Sequence, residues 1–418
     1  MSAGGSAPES EWIGWQRNVW ALALIVFTAF VGFNFVQPFL PLYVQELGVE
    51  DPGAVAIWSG VILGITPGIA AFLSPFWGSL ADRYGRKAML MRSLSGFCII
   101  IAVMGLIQSV PQLLIARIVM GFFAGFSSMA MALASVSCPR EKVPVAIGLV
   151  QSAQLVSVAI GPAAGGYVAS HFGIRYAFFV NAFLCALALG GLFFLFREGR
   201  ALGDARRKVR RMPIRDIFRF PNFPVLLALL FTAQFIDRGL GLLVPLSVAR
   251  FPDVDPSRVA VTSGIVISVA AIGAAVSANL VPRLAVRFPL GRLLLAAFIG
   301  GGLLCLLAAG VQNWVALLVL RTAIALSLGC AVTLAYSLGG LTIPSEHRGA
   351  AFGWLAMGVQ IGTTLSPLTT GGIAAASLPG AFFVDGGLAF LAAGLLIFGG
   401  RRLLTKGPAD PLVAQDPG

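Results

Sequence analysis

The sequence predicts an all-α integral membrane fold of twelve transmembrane helices, arranged as two six-helix bundles related by a pseudo-twofold axis. Three observations carry that prediction. The 418 residues are 58% hydrophobic and only 11% charged, with a mean hydropathy of +0.90; a soluble domain carries about 25% charge. The hydrophobicity falls into twelve runs, each long enough for a span. The second six runs repeat features of the first six at a constant offset.

The runs lie at roughly 19–44, 54–80, 88–108, 111–137, 143–169, 174–196, 222–249, 258–281, 291–311, 313–338, 347–376 and 380–399. No alternation of period two with turn signals occurs, so a β-barrel is excluded. Residues 1–18 contain Glu9, Glu11 and Arg17 and lack an apolar core, so no cleaved signal peptide is expected. Trp12, Trp15 and Trp20 flank the first run, where amphipathic rings favour the interface.

Orientation follows from Lys and Arg on alternate sides. One side receives twenty-three of the twenty-nine, nine of them in 197–219, whereas the opposite loops hold only Arg175, Arg250 and Arg258. The positive-inside rule places both termini in the cytoplasm. The basic segment 197–221 is expected to link a bundle of residues 1–196 to one of 222–418. Its charges suit topology and anionic headgroups, and its distribution argues against nucleic acid despite the net charge of +12.

At an offset of 204, Pro41 corresponds to Pro245, Arg117 to Arg321 and Asn181 to Asp385. Ala177-Phe-Phe-Val180 reappears as Ala381-Phe-Phe-Val384. One offset over so much chain argues for duplication, and six spans per copy keep both copies in the same orientation. A cavity between them near mid-membrane is the expected place for a substrate.

Between the second and third runs lies Gly78-Ser-Leu-Ala-Asp82-Arg83-Tyr-Gly85-Arg86-Lys87. Charges in hydrocarbon cost roughly 2.5–3.5 kcal/mol each on insertion scales, so the stretch is read as a polar hairpin outside the bilayer. It resembles the signature loop of the major facilitator superfamily. That resemblance implies a conformational latch formed by Gly78, Asp82, Arg83, Gly85 and Arg86, with Asp82 against the start of the eleventh span near Arg348. Arg83 or Arg86 would meet Glu141. A solvated basic loop is the simpler alternative.

Two further stretches carry the resemblance. Arg117-Ile-Val-Met-Gly121-Phe-Phe-Ala-Gly125 is similar to a family motif whose Arg is linked to proton coupling; a permanent cation can hold a neighbouring carboxylate ionised. Alternatively Arg117 satisfies backbone carbonyls or snorkels. Gly161-Pro162-Ala-Ala-Gly165-Gly166 resembles the motif of the antiporter branch. Close helix packing and a proline kink also account for it.

Among the carboxylates, only Asp237 and Asp385 fall inside predicted spans. Asp237 lies about 22 Å along its helix. Gln234, Asp237, Arg238 and Gly241 share one helical face, and the equivalent face of the first span carries Phe30, Phe33, Asn34 and Gln37. A carboxyl there is pulled one way by desolvation and the other by Arg238, which makes it proton-responsive. Asp237 is therefore expected to carry the proton, or else to form a structural pair with Arg238; Asp385 is a second candidate. Phe30, Phe33, Phe122, Phe126, Phe231, Phe235 and Trp354, with Asn34, Gln37, Gln234 and Arg321, are candidates for the cavity wall.

The closest likeness is to the bacterial drug:proton antiporter branch, carried by Pro38-Phe-Leu-Pro-Leu-Tyr-Val44, Ser74-Pro-Phe-Trp-Gly78 and the fifth-span motif. It implies a monomeric inner-membrane exporter of hydrophobic compounds driven by inward protons, its partners being a small-molecule substrate, protons and lipid. The first span lacks the carboxylate that many members of this branch place there, which shifts coupling toward Asp237. The alternative is a transporter of a specific polar metabolite such as a sugar or amino acid. No catalytic motif, nucleotide-binding loop or metal-ligand spacing is apparent, so neither enzymatic activity nor a cofactor is expected. Cys98, Cys138, Cys185, Cys305 and Cys330 read as small packing residues.

Overall fold

The computed structural model describes residues 14–139, 142–196, 222–285, 287–342 and 348–405. Every regular element among them is helical. The first copy supplies α1 (Trp15–Val36), α2 (Leu40–Glu46), α3 (Pro52–Tyr84), α4 (Arg86–Met104), α5 (Val110–Phe122), α6 (Phe126–Val136), α7 (Val143–Phe172) and α8 (Ile174–Phe194). The second supplies α9 (Phe223–Val248), α10 (Val259–Ala285), α11 (Leu290–Ala308), α12 (Trp314–Leu328), α13 (Ala331–Thr342), α14 (Arg348–Ala376), α15 (Leu378–Gly399) and α16 (Arg401–Thr405). The expected basic linker at 197–221 lies outside the described residues.

Ten helical stretches are long and apolar enough to cross a bilayer among the described residues. The other two expected spans are present as helix but differ in character. The fourth is interrupted between α5 and α6, where Gly125 adopts φ 105°, a left-handed conformation that costs glycine least. The eleventh, α14, is a continuous 29-residue helix. Its apolar character is diluted by Gln360, Thr363, Thr364, Thr369 and Thr370.

Helix ends follow from local chemistry. Proline stands in the first turn of α3, α5, α7, α9 and α15, where its missing N–H is not needed. The Asp51 carboxylate caps α3 by accepting from Ala54 N at 2.6 Å, and Ser377 caps α15 through Gly380 N at 3.0 Å. The first span breaks into α1 and α2 at Gln37–Phe39 because Pro38 and Pro41 fall within four residues. The equivalent helix α9 has Leu242 opposite Pro38 and, beyond its first turn, holds only Pro245, and it stays continuous.

The stretch expected as a polar hairpin is mostly helical: α3 continues to Tyr84, and the turn is confined to Gly85 at φ 94°. The predicted boundary at 80 therefore fell a turn short, since a helix can carry its last turn past the apolar region.

Within each copy the long helices pack in register: α1 on α7 and α8, α4 on α8, α9 on α14 and α15, and α11 on α15. Two seams join the copies, α3 against α14 and α7 against α10. Both consist of glycine meeting backbone. A methyl placed on Gly60 would lie 2.2 Å from the Pro367 carbonyl oxygen, and one on Gly264 would lie 2.3 Å from that of Pro162. Gly371 and Gly166 complete the seams against Ala56 and Ala260. Gly60 and Gly264 are equivalent at the 204-residue offset, so the two seams are copies of one contact. Both sit toward the end of the molecule that carries the turns at 47–51 and 249–258.

Candidate functional site

The polar centre of the molecule is an ion pair that spacing alone did not assign. Arg321 Nη2 on α12 donates to Asp237 Oδ1 on α9 at 2.9 Å. The alternative of a structural pair with the sequence neighbour Arg238 is thus corrected: the contact is made by Arg321, and Arg238 acts on Asp237 only through its charge. Successive helical side chains diverge by about 100°, so a residue from a facing helix closes on Asp237 better than its neighbour does. Arg321, expected only to line a cavity, is instead the partner cation.

The pair is asymmetric in burial. The Arg321 side chain is 9% exposed and that of Asp237 is 54% exposed. Helix α9 is packed by α10, α12, α13, α14 and α15, and also by α2 of the first copy. Its open face is the predicted polar stripe: Gln234 and Gly241 are half-buried, and Asp237 and Arg238 exposed. Asp237 therefore stands at the lip of an open space with its charge anchored from behind by a buried guanidinium.

Asp385, on α15, lies behind the pair. It is 1% exposed, and neither oxygen has a hydrogen-bond partner among the described residues. Arg321 is near enough to act on it electrostatically.

Arg117, the equivalent of Arg321, is likewise buried, at 4% exposure. The carboxylate that it was expected to hold ionised is not there among the described residues. Its Nη1 meets the Met120 sulfur at 3.7 Å, and its Nε has no partner. Gly121 fits closely against Ile69 and the Thr66 carbonyl oxygen.

The other predicted residues divide. Phe30, Phe33 and Phe126 form one aromatic cluster with Phe97, at centroid separations of 4.9–5.9 Å. Asn34 donates to its own helix at the Phe30 carbonyl, 2.8 Å away, while Gln37 is exposed at the break after α1. Phe235 is buried and Phe231 and Trp354 are half-buried. Phe122 lines an apolar hollow of about 380 Å³ between α3 and α14, with Gly64, Gly68, Phe72, Thr364 and Leu368. The motif residues Gly161, Pro162, Gly165 and Gly166 divide between a contact within the first copy and the seam with the second. Gly161 and Gly165 lie against Asn34 and Phe35 of α1, and Pro162 and Gly166 against α10 of the other copy. Of the latch, Gly85 forms the turn described above and Arg86 opens α4. The surroundings of Gly78, the side chains of Asp82, Arg83 and Arg348, and residue Glu141 lie outside the described residues.

A duplicated helical membrane protein with a charge pair inside its spans is the architecture of a secondary transporter. The family model of the Major Facilitator Superfamily matches residues 22–309 and 260–413, and the chain belongs to that family. It is a multi-pass membrane transporter.

Among its relatives is the "Multidrug resistance protein MdtG" of Klebsiella pneumoniae (strain 342), 32% identical over 366 residues, which are 87% of this chain and 88% of the relative. The protein of the same name from Salmonella typhimurium is 32% identical over 375 residues, 88% of this chain and 91% of the relative. The likeness is thus to MdtG-type transporters, within the branch that the motifs pointed to.

Solved structures share the fold at low identity. A bacterial homolog of the human lysosomal transporter Spinster, inward-facing and occupied, has a TM-score of 0.74 at 18% identity, covering 95% of this chain and 98% of its own. The nucleoside transporter NupG has a TM-score of 0.72 at 14% identity, covering 93% and 99%.

Proposed function

We propose that the protein exports lipophilic, drug-like compounds from a bacterial cell by alternating access, in exchange for protons. The observation that carries this reading is the Asp237–Arg321 pair: an acid inside the spans, half-exposed on the open face of α9 and held by a buried cation. Such an acid can take up either a proton or a cationic substrate. The names of the MdtG relatives support the drug class. The apolar walls of the hollow between α3 and α14 suit a lipophilic compound better than a sugar.

In this reading residues 1–196 and 222–418 are two bundles that rock about Asp237. The glycine seams α3–α14 and α7–α10 close one end while the other opens. The Gly78–Lys87 stretch latches the opposite end, both termini are cytoplasmic, and the transporter works as a monomer in the inner membrane. Further candidate proton-coupling residues are Arg117, Arg238 and Asp385.

Ethidium accumulation in efflux-deficient cells tests the direction and the class. Expression is expected to lower ethidium retention and to leave the uptake of labelled sugars and amino acids unchanged. In proteoliposomes an imposed pH gradient should drive ethidium flux, and the flux should be lost in Asp237→Asn. Sugar or amino-acid transport without ethidium export would overturn the reading.

A further inference from the structure

The buried acid Asp385 has a neighbourhood that defines its role. A methyl on Gly239 of α9 would meet Thr370 Oγ1 at 2.9 Å, Ser366 Oγ at 3.1 Å and Asp385 Oδ2 at 3.3 Å. Three oxygens from α14 and α15 thus ring one point over a glycine. The Ser366 hydroxyl donates to the Phe235 carbonyl, so its oxygen presents lone pairs to that space. From α11 the facing titratable group is Cys305, and from α12 it is Arg321. Thr370 and Ser366 of α14 are uncharged, and on α9 the charged residues are Asp237 and Arg238.

Arg321 is therefore the cation that can compensate Asp385, and its Nη2 is already engaged by Asp237. Its Nε has no partner among the described residues. Neither Asp385 oxygen has a hydrogen-bond partner among the described residues, so an ionised Asp385 would be a desolvated charge that only Arg321 could compensate, whereas a protonated one carries no charge to compensate.

From this geometry we infer that Arg321 exchanges carboxylate partners, Asp237 for Asp385, and that Asp385 is the group protonated in the arrangement seen here. The inference rests on the proton-coupled reading above and gives it a stoichiometry. A lipophilic monocation that pairs with Asp237 displaces the guanidinium. Arg321 turns to Asp385, the carboxyl O–H bond breaks, and the proton leaves to water on the open face. Arg321, Asp237 and protonated Asp385 sum to zero charge before the step; Arg321, the bound cation and the two carboxylates sum to zero after it. Arg238 keeps its charge throughout, so the net charge of the site is unchanged and one proton leaves for each monocation bound.

Infrared spectroscopy of the full-length protein in lipid tests the exchange without reference to transport. Wild type is expected to show the carbonyl stretch of a protonated carboxylic acid, sensitive to deuterium exchange. Asp385→Asn should lose it. Asp237→Asn should lose it too, because the released Arg321 would ionise Asp385. An undiminished band in Asp385→Asn, or one retained in Asp237→Asn, overturns the inference. Asp385→Asn is expected to fold, since Asn181 already fills the equivalent place in the first copy.

A second arm adds tetraphenylphosphonium to weakly buffered protein. One proton should be released per cation bound by wild type, and none per cation bound by Asp385→Asn. Proton release from Asp385→Asn sinks the proposal. If wild type binds no tetraphenylphosphonium, the lipophilic-cation reading is what fails, and the infrared comparison decides the exchange by itself.

Discussion

The two copies bury the same cation at equivalent places and surround it differently. Arg117 is 4% exposed and Arg321 7%. Around Arg321 the second copy places Asp237 and Asp385. The first copy has Phe33 and Asn181 at those positions. Phe33 packs edge-on against Phe30, Phe97 and Phe126, and the Asn181 Oδ1 lies over Gly32 and accepts weakly from the Cys185 thiol at 3.7 Å. The same helix contact recurs with donor and acceptor exchanged: Ser93 donates to the Phe123 carbonyl, and Ser327, the equivalent of Phe123, donates to the carbonyl of Ala297, the equivalent of Ser93. One half of the duplicated frame thus holds an aromatic cluster and the other a charge relay. In the alternating-access reading proposed above, these two faces would bound the substrate path, an apolar wall opposite an acidic one, and such a combination would fit a lipophilic cation.

The sharpest way to break this comparison is to remove the two cations separately. Arg321→Met leaves Asp237 unpaired. Truncating one side of a buried pair costs about 3–5 kcal/mol, and the half-exposure of Asp237 brings the cost toward the lower end. Ethidium export should disappear, and the thermal midpoint of purified protein should fall. Arg117→Met removes a buried cation that has no acid beside it among the described residues, so the midpoint should stay level or rise. Equal destabilisation by both substitutions would show that the first copy holds its arginine by a partner of similar strength.

The seams offer the opposite test, because there the copies behave alike. Gly60→Ala and Gly264→Ala each drive a methyl into a proline carbonyl oxygen, at 2.2 and 2.3 Å. Overpacking of that kind costs about 1–3 kcal/mol. The strain falls on the closed end of the molecule, so each substitution should increase cysteine labelling of positions introduced at the seam. The two effects should match within error. A large inequality would mean that one seam stays closed while the other opens.

The fold was legible because its signals are repeated. Twelve apolar runs, an alternating count of cations and one offset all point to the same architecture, and each would be scrambled by a missed helix. The site was only half legible. Asp237 and Asp385 stand out as acids inside apolar runs, and the polar stripe of α9 follows from helical periodicity. The partner did not follow: Arg238 is adjacent in sequence, whereas Arg321 is 84 residues away and meets Asp237 only through packing of α12 on α9. The offset held the missing signal. It makes Arg321 the twin of Arg117, and two arginines at equivalent depths in apolar runs call for local compensation. The glycine seams were visible as a motif, but which helix met them depends on how the copies dock. Periodicity within one helix says nothing about that.

The smallest difference between the copies lies where α5 and α12 begin. Asn313 caps α12 by accepting from Ala316 N at 2.8 Å, whereas Ser109, at the equivalent place before α5, makes no side-chain cap. Loss of a cap of this type costs about 1 kcal/mol. Asn313→Ala should therefore lower the thermal midpoint by a few degrees, and Ser109→Ala should leave it unchanged. Transport should survive both, because neither residue reaches the charge relay. If Ser109→Ala costs as much as Asn313→Ala, the first copy caps α5 in a conformation other than the one described here. The two copies would then be closer in local structure than their present geometry suggests.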